Sequence, residues 1–342
     1  MFYFFVTLFL SALLTLLVKK IAFKLGIIDS PDRQRKLHPQ PTPLLGGVAI
    51  FLSFWLVAGY FLYIRPIYGL ELLAAKMMGV FLAGLILIIM GAVEDKKPIS
   101  PRWRLFITAV AAAVAVVGGL GLEKITNPWG GIIPLGLTLG NALVFVWLMG
   151  MMFTTKILDG LDGLSAGVAG IGGIVIFLLA VSQKFYQPNV ALLAAIFAAA
   201  CLGFLLFNFY PAKIFLGEGG GLFIGFMLGA LAVISGGKIA TALLVMAIPI
   251  LDLARVAYVR FRKKQSIFQG DREHLHFRLL DAGFSQRQAV VFLYGLAFLF
   301  GITTLFLSSL YKLYALGGLL ILMVVMNYLI DKKLSYARPK TF

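Results

Sequence analysis

The stretch KILDGLDGLSAG, Lys156 to Gly167, sets two aspartates and several glycines between long apolar runs. A charged side chain beside a bilayer is costly and marks a functional site by default, which makes Asp159 and Asp162 candidates for chemistry. If the stretch begins as a helix, spacing of three puts Asp159 with Asp162, and Lys156 with Asp159, on one face. Gly160 and Gly163 would let a ligand approach the backbone. Carboxylates combined with phosphate oxygens are the usual way Mg²⁺ is held.

Other loops carry matching chemistry. In GAVEDKKPISPRW, Glu94 and Asp95 leave an apolar helix side by side. Adjacent carboxylates repel unless a cation lies near, so the pair suits a divalent metal or a base acting on a phosphate. Glu218 opens FLGEGGG, where the backbone of Gly219, Gly220 and Gly221 could cradle an anion. Arg35, Lys36 and His38 stand in a basic loop stiffened by Pro39, Pro41 and Pro43, fit for a phosphate on a lipid or nucleotide. In DREHLHFRL, His274 and His276 lie two apart, a spacing that shares a strand face but not a helix face. With Asp271, Arg272 and Arg278 they suit a diphosphate or a sugar, and without a third ligand they make a weak zinc site.

These groups need a scaffold. The chain of 342 residues is 61% hydrophobic and 13% charged, with a mean hydropathy of +0.98. An ordinary soluble domain carries about 25% charged residues, so the sequence predicts an all-α polytopic membrane protein forming one domain, 1–342. A span needs about 20 mostly apolar residues. That rule predicts eleven spans, near 2–18, 44–64, 76–93, 105–122, 138–152, 164–182, 190–207, 221–235, 239–256, 289–307 and 313–330. Lys19 and Lys20 follow the first run instead of preceding it, as in a retained span and not a signal peptide. Cys201, inside an apolar run, reads as a small buried residue.

Placing the loops on alternate sides puts 24 of the 30 Lys and Arg residues on one side and six on the other. The basic side is expected to face the cytoplasm, with the N-terminus outside and the C-terminus inside. Twelve of the 14 acids and all three histidines fall on that same side. Insertion rules do not require this, and a cytoplasm-facing active site would explain it. The net charge of +16 is then accounted for by topology, anionic lipid and a phosphorylated ligand. Nucleic acid is not an expected partner.

Taken in order, DSPDRQRKLHPQPTPLLGG, EDKKPISPRWRL, ILDGLDGLSAG, FLGEGGGLFIGF, PILDLARV and DREHLHFRL resemble the loops of the polyprenyl-phosphate N-acetylhexosamine-1-phosphate transferases, a glycosyltransferase 4 family, over nearly the whole chain. The His-x-His loop is closer to the bacterial branch that begins O-antigen, enterobacterial common antigen or teichoic-acid linkage synthesis. The resemblance implies that undecaprenyl phosphate attacks the β-phosphate of a UDP-N-acetylhexosamine such as UDP-N-acetylglucosamine, releasing UMP, with Mg²⁺ or Mn²⁺. By position it implies that Glu94 and Asp95 lie near the lipid phosphate and that Asp159 and Asp162 form the central acidic motif. It further implies that Glu218 and Asp159 bind the metal, and that His274, His276 and Arg278 meet the nucleotide sugar. The family usually has Asp where Glu94 and Glu218 stand, and Asn where Phe153 and Lys156 stand. Those departures leave a second reading, a non-catalytic relative that binds polyprenyl phosphate or a nucleotide sugar. Small-residue spans are compatible with a homodimer.

Overall fold

The computed structural model describes residues 1–31, 40–64, 71–236, 238–264 and 273–337. The described residues are predominantly α-helical, with two short antiparallel pairs: β1 (Ile28–Asp29) with β2 (Thr42–Pro43), and β3 (Lys124–Thr126) with β4 (Ile132–Pro134). The helices are α1 (Phe2–Leu25), α2 (Gly46–Gly59), α3 (Glu71–Lys96), α4 (Pro101–Val117), α5 (Leu137–Leu158), α6 (Leu164–Val181) and α7 (Pro188–Asn208). They continue with α8 (Gly217–Ile234), α9 (Ile239–Val245), α10 (Ala247–Arg262), α11 (Leu275–Asp281), α12 (Gln286–Thr303) and α13 (Ser309–Ala337).

Among the described residues, eight helices are long and apolar enough to cross a membrane, or nine if α9 and α10 form one span. The protein is therefore an all-α, multi-pass membrane protein, while the expected count of eleven is not confirmed among the described residues. Each expected stretch carries a helix, but three differ from a simple span. Apolar α2 ends after 14 residues and continues as a π-turn over Tyr60–Ile64. Helix α4 has 17 residues with Arg102 and Arg104 in its first turn. Helices α9 and α10 meet at a 74° bend. Pro249 lies in the first turn of α10, where its missing N–H breaks no helical bond.

Burial sorts the helices into a centre and a rim. In α8, 83% of the apolar window is buried, against 22% in α1 and in α13. In hydrocarbon a rim helix can invert the soluble pattern, turning small and hydroxyl side chains inward, and α1 does so. The buried stripe of α1 is Thr7, Ser11, Thr15, Val18 and Ala22, and Ser11 donates across to the Ala200 carbonyl of α7 at 2.7 Å. Phe2, Phe5, Phe9 and Leu13 are exposed on its other face.

Two glycine contacts set the start of α8. A Cβ on Gly47 would lie 2.2 Å from Gly220 Cα, and one on Gly91 would lie 2.0 Å from the Gly219 nitrogen. Backbones therefore touch where α2 and α3 cross α8. The glycines expected to cradle an anion serve at 219 and 220 to bring three helices together. Gly46 and Gly47 also donate to the carbonyls of Phe215 and Leu216, at 2.9 and 2.8 Å, strapping the loop before α8 to the start of α2. The ends of α3, α5 and α7 and the starts of α4, α6 and α8 thus gather at one end of the bundle.

Candidate active site

At that end lies a cavity of about 580 Å³. Its described lining includes six acids (Asp29, Glu94, Asp95, Asp159, Asp162 and Glu218) and two bases (Arg104 and Lys156), so six less two leaves a formal charge of −4. Five acids singled out in the sequence and Lys156 are brought together here from three separate loops.

Helix α5 ends at Leu158, and Asp159 occupies its C-cap with φ −76° and ψ 32°. The chain then turns through Gly163, at φ +79°, before α6 begins. The expected shared helix face of Asp159 and Asp162 is thus corrected: α5 ends before either acid, and the two acids reach one cavity from the turn that joins α5 to α6. Thr155 holds this turn against its neighbours. Its hydroxyl donates to the Gly221 carbonyl of α8 at 2.7 Å, and its own carbonyl accepts from Ser165 Oγ of α6 at 2.9 Å. Asp162 Oδ2 accepts the Ala212 N–H at 2.9 Å, tying the turn to the loop between α7 and α8.

The acidic pair of α3 divides its work. Glu94, 6% exposed, is gripped by both Nε and a terminal nitrogen of Arg104, with Nε to Oε2 at 3.0 Å. Such fork-to-fork pairing is the strong form of a carboxylate contact. Asp95 Oδ1 accepts the Glu218 N–H at 2.9 Å, placing a carboxylate on the electropositive start of α8. Glu218 itself does not stand open: its carboxylate is ion-paired with Lys156, and Arg104 Nε lies 3.9 Å away.

Buried Asp159 has its carboxyl pushed well above the usual carboxylate range. Burial is the main cause; Lys156 opposes the shift, and Asp162 and Asp95 add to it. A cavity whose acids outnumber its bases accepts a phosphorylated ligand only with added positive charge. Mg²⁺ commonly uses one or two carboxylates and takes its remaining ligands from phosphate and water. The donor set fits that requirement at Asp159 and Asp162. Among the described residues no three His, Cys, Asp or Glu side chains form a ready-made metal cage.

The histidine loop lies behind the cavity. Asp252 of α10 accepts the Leu275 N–H at 3.0 Å, faces His274 Nδ1 at 2.9 Å, and accepts from Arg255 at 3.1 Å. The His274 and His276 rings stack with centroids 5.8 Å apart and planes 3° from parallel. A Cβ on Gly160 would lie 2.4 Å from His276 Nε2, so this imidazole backs directly onto the Asp159–Asp162 turn. Buried Arg278 reaches away from the cavity to Asn327 and Asp331 of α13. Of this loop, Phe277 lines the cavity. Arg35, Lys36 and His38 lie outside the described residues, as do Asp271 and Arg272.

Burial, with repulsion from His274 and a smaller opposing pull from Asp252, lowers the His276 pKa from 6.5 to about 3. The folded protein holds this imidazole neutral, so its contribution to stability is present above pH 6.5 and is lost as pH falls toward 3. Thermal unfolding in detergent is expected to show stability declining below pH 6.5 by up to about 1.4 kcal/mol per pH unit. His276→Gln should flatten that decline, and an unchanged slope in the variant would refute the assignment.

Arg104 was not anticipated from the sequence. Its only local signal is a basic residue ten positions after Glu94, across a short Pro-containing turn. Asp252 likewise gave no sign of its partner 22 residues later.

The family model described as Glycosyl transferase family 4 matches residues 77–236. The chain is 32% identical to a "Probable undecaprenyl-phosphate N-acetylglucosaminyl 1-phosphate transferase" of Bacillus subtilis, over 90% of this chain and 84% of that one. It is 31% identical to a "Decaprenyl-phosphate N-acetylglucosaminephosphotransferase" of Mycobacterium tuberculosis, over 81% of this chain and 74% of the relative. An Escherichia coli "Undecaprenyl-phosphate alpha-N-acetylglucosaminyl 1-phosphate transferase" is 30% identical over 82% of this chain and 76% of its own length.

Proposed function

The chain belongs to glycosyl transferase family 4, and we propose that it transfers N-acetylglucosamine 1-phosphate from a UDP-sugar to undecaprenyl phosphate, releasing UMP. The observation that supports this most is the cavity that joins Glu94, Asp95, Lys156, Asp159, Asp162 and Glu218 at one end of a membrane-spanning bundle. A lipid acceptor and a soluble diphosphate donor can meet only at such a membrane edge. The positive-inside rule assigns this end to the cytoplasm, where nucleotide sugars are found, with the N-terminus on the opposite side of the plasma membrane.

The chemistry follows from the charges. An oxygen of the lipid phosphate forms a bond to the β-phosphorus, the bond from that phosphorus to the bridging oxygen breaks, and UMP departs with the electron pair. A phosphate monoester has its second pKa near 6, so at neutral pH the nucleophile is mostly the dianion. Asp95, between Glu94 and the start of α8, takes the remaining proton. Lys156 and Arg104 turn positive charge toward phosphate oxygens. Asp159 and Asp162 would hold Mg²⁺, or Mn²⁺ in its place, and the metal would offset charge on the diphosphate.

The test is UMP release from UDP-N-acetylglucosamine by the purified protein with undecaprenyl phosphate, in Mg²⁺ and then in EDTA. UMP that requires both lipid and metal is expected. Release without lipid, or none with either UDP-N-acetylglucosamine or UDP-N-acetylgalactosamine, would overturn the proposal.

A further inference from the structure

Glu218 is one of the two acids that the family resemblance marks as metal ligands, yet its carboxylate is closed by an ion pair with Lys156. Both side chains are partly sheltered, at 18% exposure for Lys156 and 36% for Glu218. They come from elements that are fixed independently. Lys156 lies in the last turn of α5, locked by the bond from Thr155 to Gly221, and Glu218 lies in the first turn of α8, whose N–H is capped by Asp95. The two departures from the family's usual residues are complementary. Glu extends the carboxylate by one methylene relative to Asp, and Lys in place of Asn delivers an ammonium to meet it. A bound ammonium and a divalent cation repel each other and cannot share one carboxylate at full strength.

We propose that in this protein Lys156 takes the place of a divalent cation at Glu218, so that the chain itself supplies the positive charge there. When the diphosphate enters, the ammonium meets one of its oxygens while keeping Glu218 as its counter-ion. Any divalent cation is then confined to the Asp159 and Asp162 side of the cavity. The phosphate contact rests on the proposed phosphoglycosyl transfer, whereas the exclusion of metal from Glu218 does not.

Binding of Mn²⁺ to the full-length protein in detergent, followed by the paramagnetic resonance of the unbound ion, tests this without substrate. Lys156→Asn is expected to gain an additional Mn²⁺ or to bind Mn²⁺ at least tenfold more tightly, and adding Glu218→Gln should cancel the gain. Glu218→Gln alone should leave Mn²⁺ binding unchanged. Equal stoichiometry and affinity in the wild type and Lys156→Asn would overturn the proposal, as would a gain that survives Glu218→Gln. Weakened binding in Glu218→Gln alone would overturn it too, even if Lys156→Asn fails to fold. UMP release assayed separately distinguishes failure of this inference from failure of the reaction assigned above.

Discussion

Asp159→Asn is expected to lower turnover by about 1000-fold or more while the protein remains folded. Asp159 projects from a turn pinned on both sides, by Thr155 to α8 and by the Asp162 bond to Ala212. Asn keeps the shape but removes the charge. Loss of one preorganised electrostatic group costs on the order of 10²–10³ in rate, and in the proposed reaction a metal-binding oxygen would be lost as well. Stability should move the other way. Because burial raises the folded-state pKa of Asp159 above its ordinary value of 3.8, folding favours the protonated form. Its stabilising effect is full below that ordinary value and is lost as pH rises through the raised one. In EDTA, Asp159→Asn should therefore unfold at a higher temperature than the wild type, by a margin that widens with pH. Saturating Mg²⁺ should narrow the difference by stabilising the ionised wild type. Turnover within tenfold of wild type would remove Asp159 from the site.

Arg104→Met should give the second large effect, on stability. The Glu94 side chain is 4% exposed and is held by two nitrogens of Arg104. Removing one partner of a buried pair leaves an uncompensated charge, at about 3–5 kcal/mol. Arg104 is itself 25% exposed, so water entering the gap brings the expected loss to the low end, about 3 kcal/mol. Adding Glu94→Gln should recover most of it, because no buried charge then lacks a partner. Thermal or denaturant unfolding of the two single variants and the double variant closes the cycle. Equal losses in Arg104→Met and the double variant would show that the pair is incidental to the fold.

The sequence showed most clearly what depends on composition and on order along the chain. Long apolar runs could only be membrane helices, and charges confined to alternate loops anticipated one polar end, where Asp95, Asp159 and Glu218 do meet. What it concealed depends on distant backbones touching. The i, i+3 rule holds only inside a helix, and α5 ends at Leu158, before either of the two aspartates. Gly219 and Gly220 resembled an anion cradle because a glycine needed for close packing looks the same in sequence as one needed for a ligand. The partnership of Lys156 with Glu218 spans 62 residues and required knowing that α5 crosses α8 at Thr155. The α9–α10 bend leaves no mark in hydropathy, because Pro249 is tolerated in a first turn.

The most direct measurement follows the β-phosphorus of UDP-N-acetylglucosamine, labelled at that position and incubated with the purified protein, undecaprenyl phosphate and Mg²⁺. The account predicts that the label enters the lipid fraction together with the sugar and that unlabelled UMP is released. Label remaining in the nucleotide, with sugar alone on the lipid, would mean that the bond broken is the glycosidic one and would contradict it.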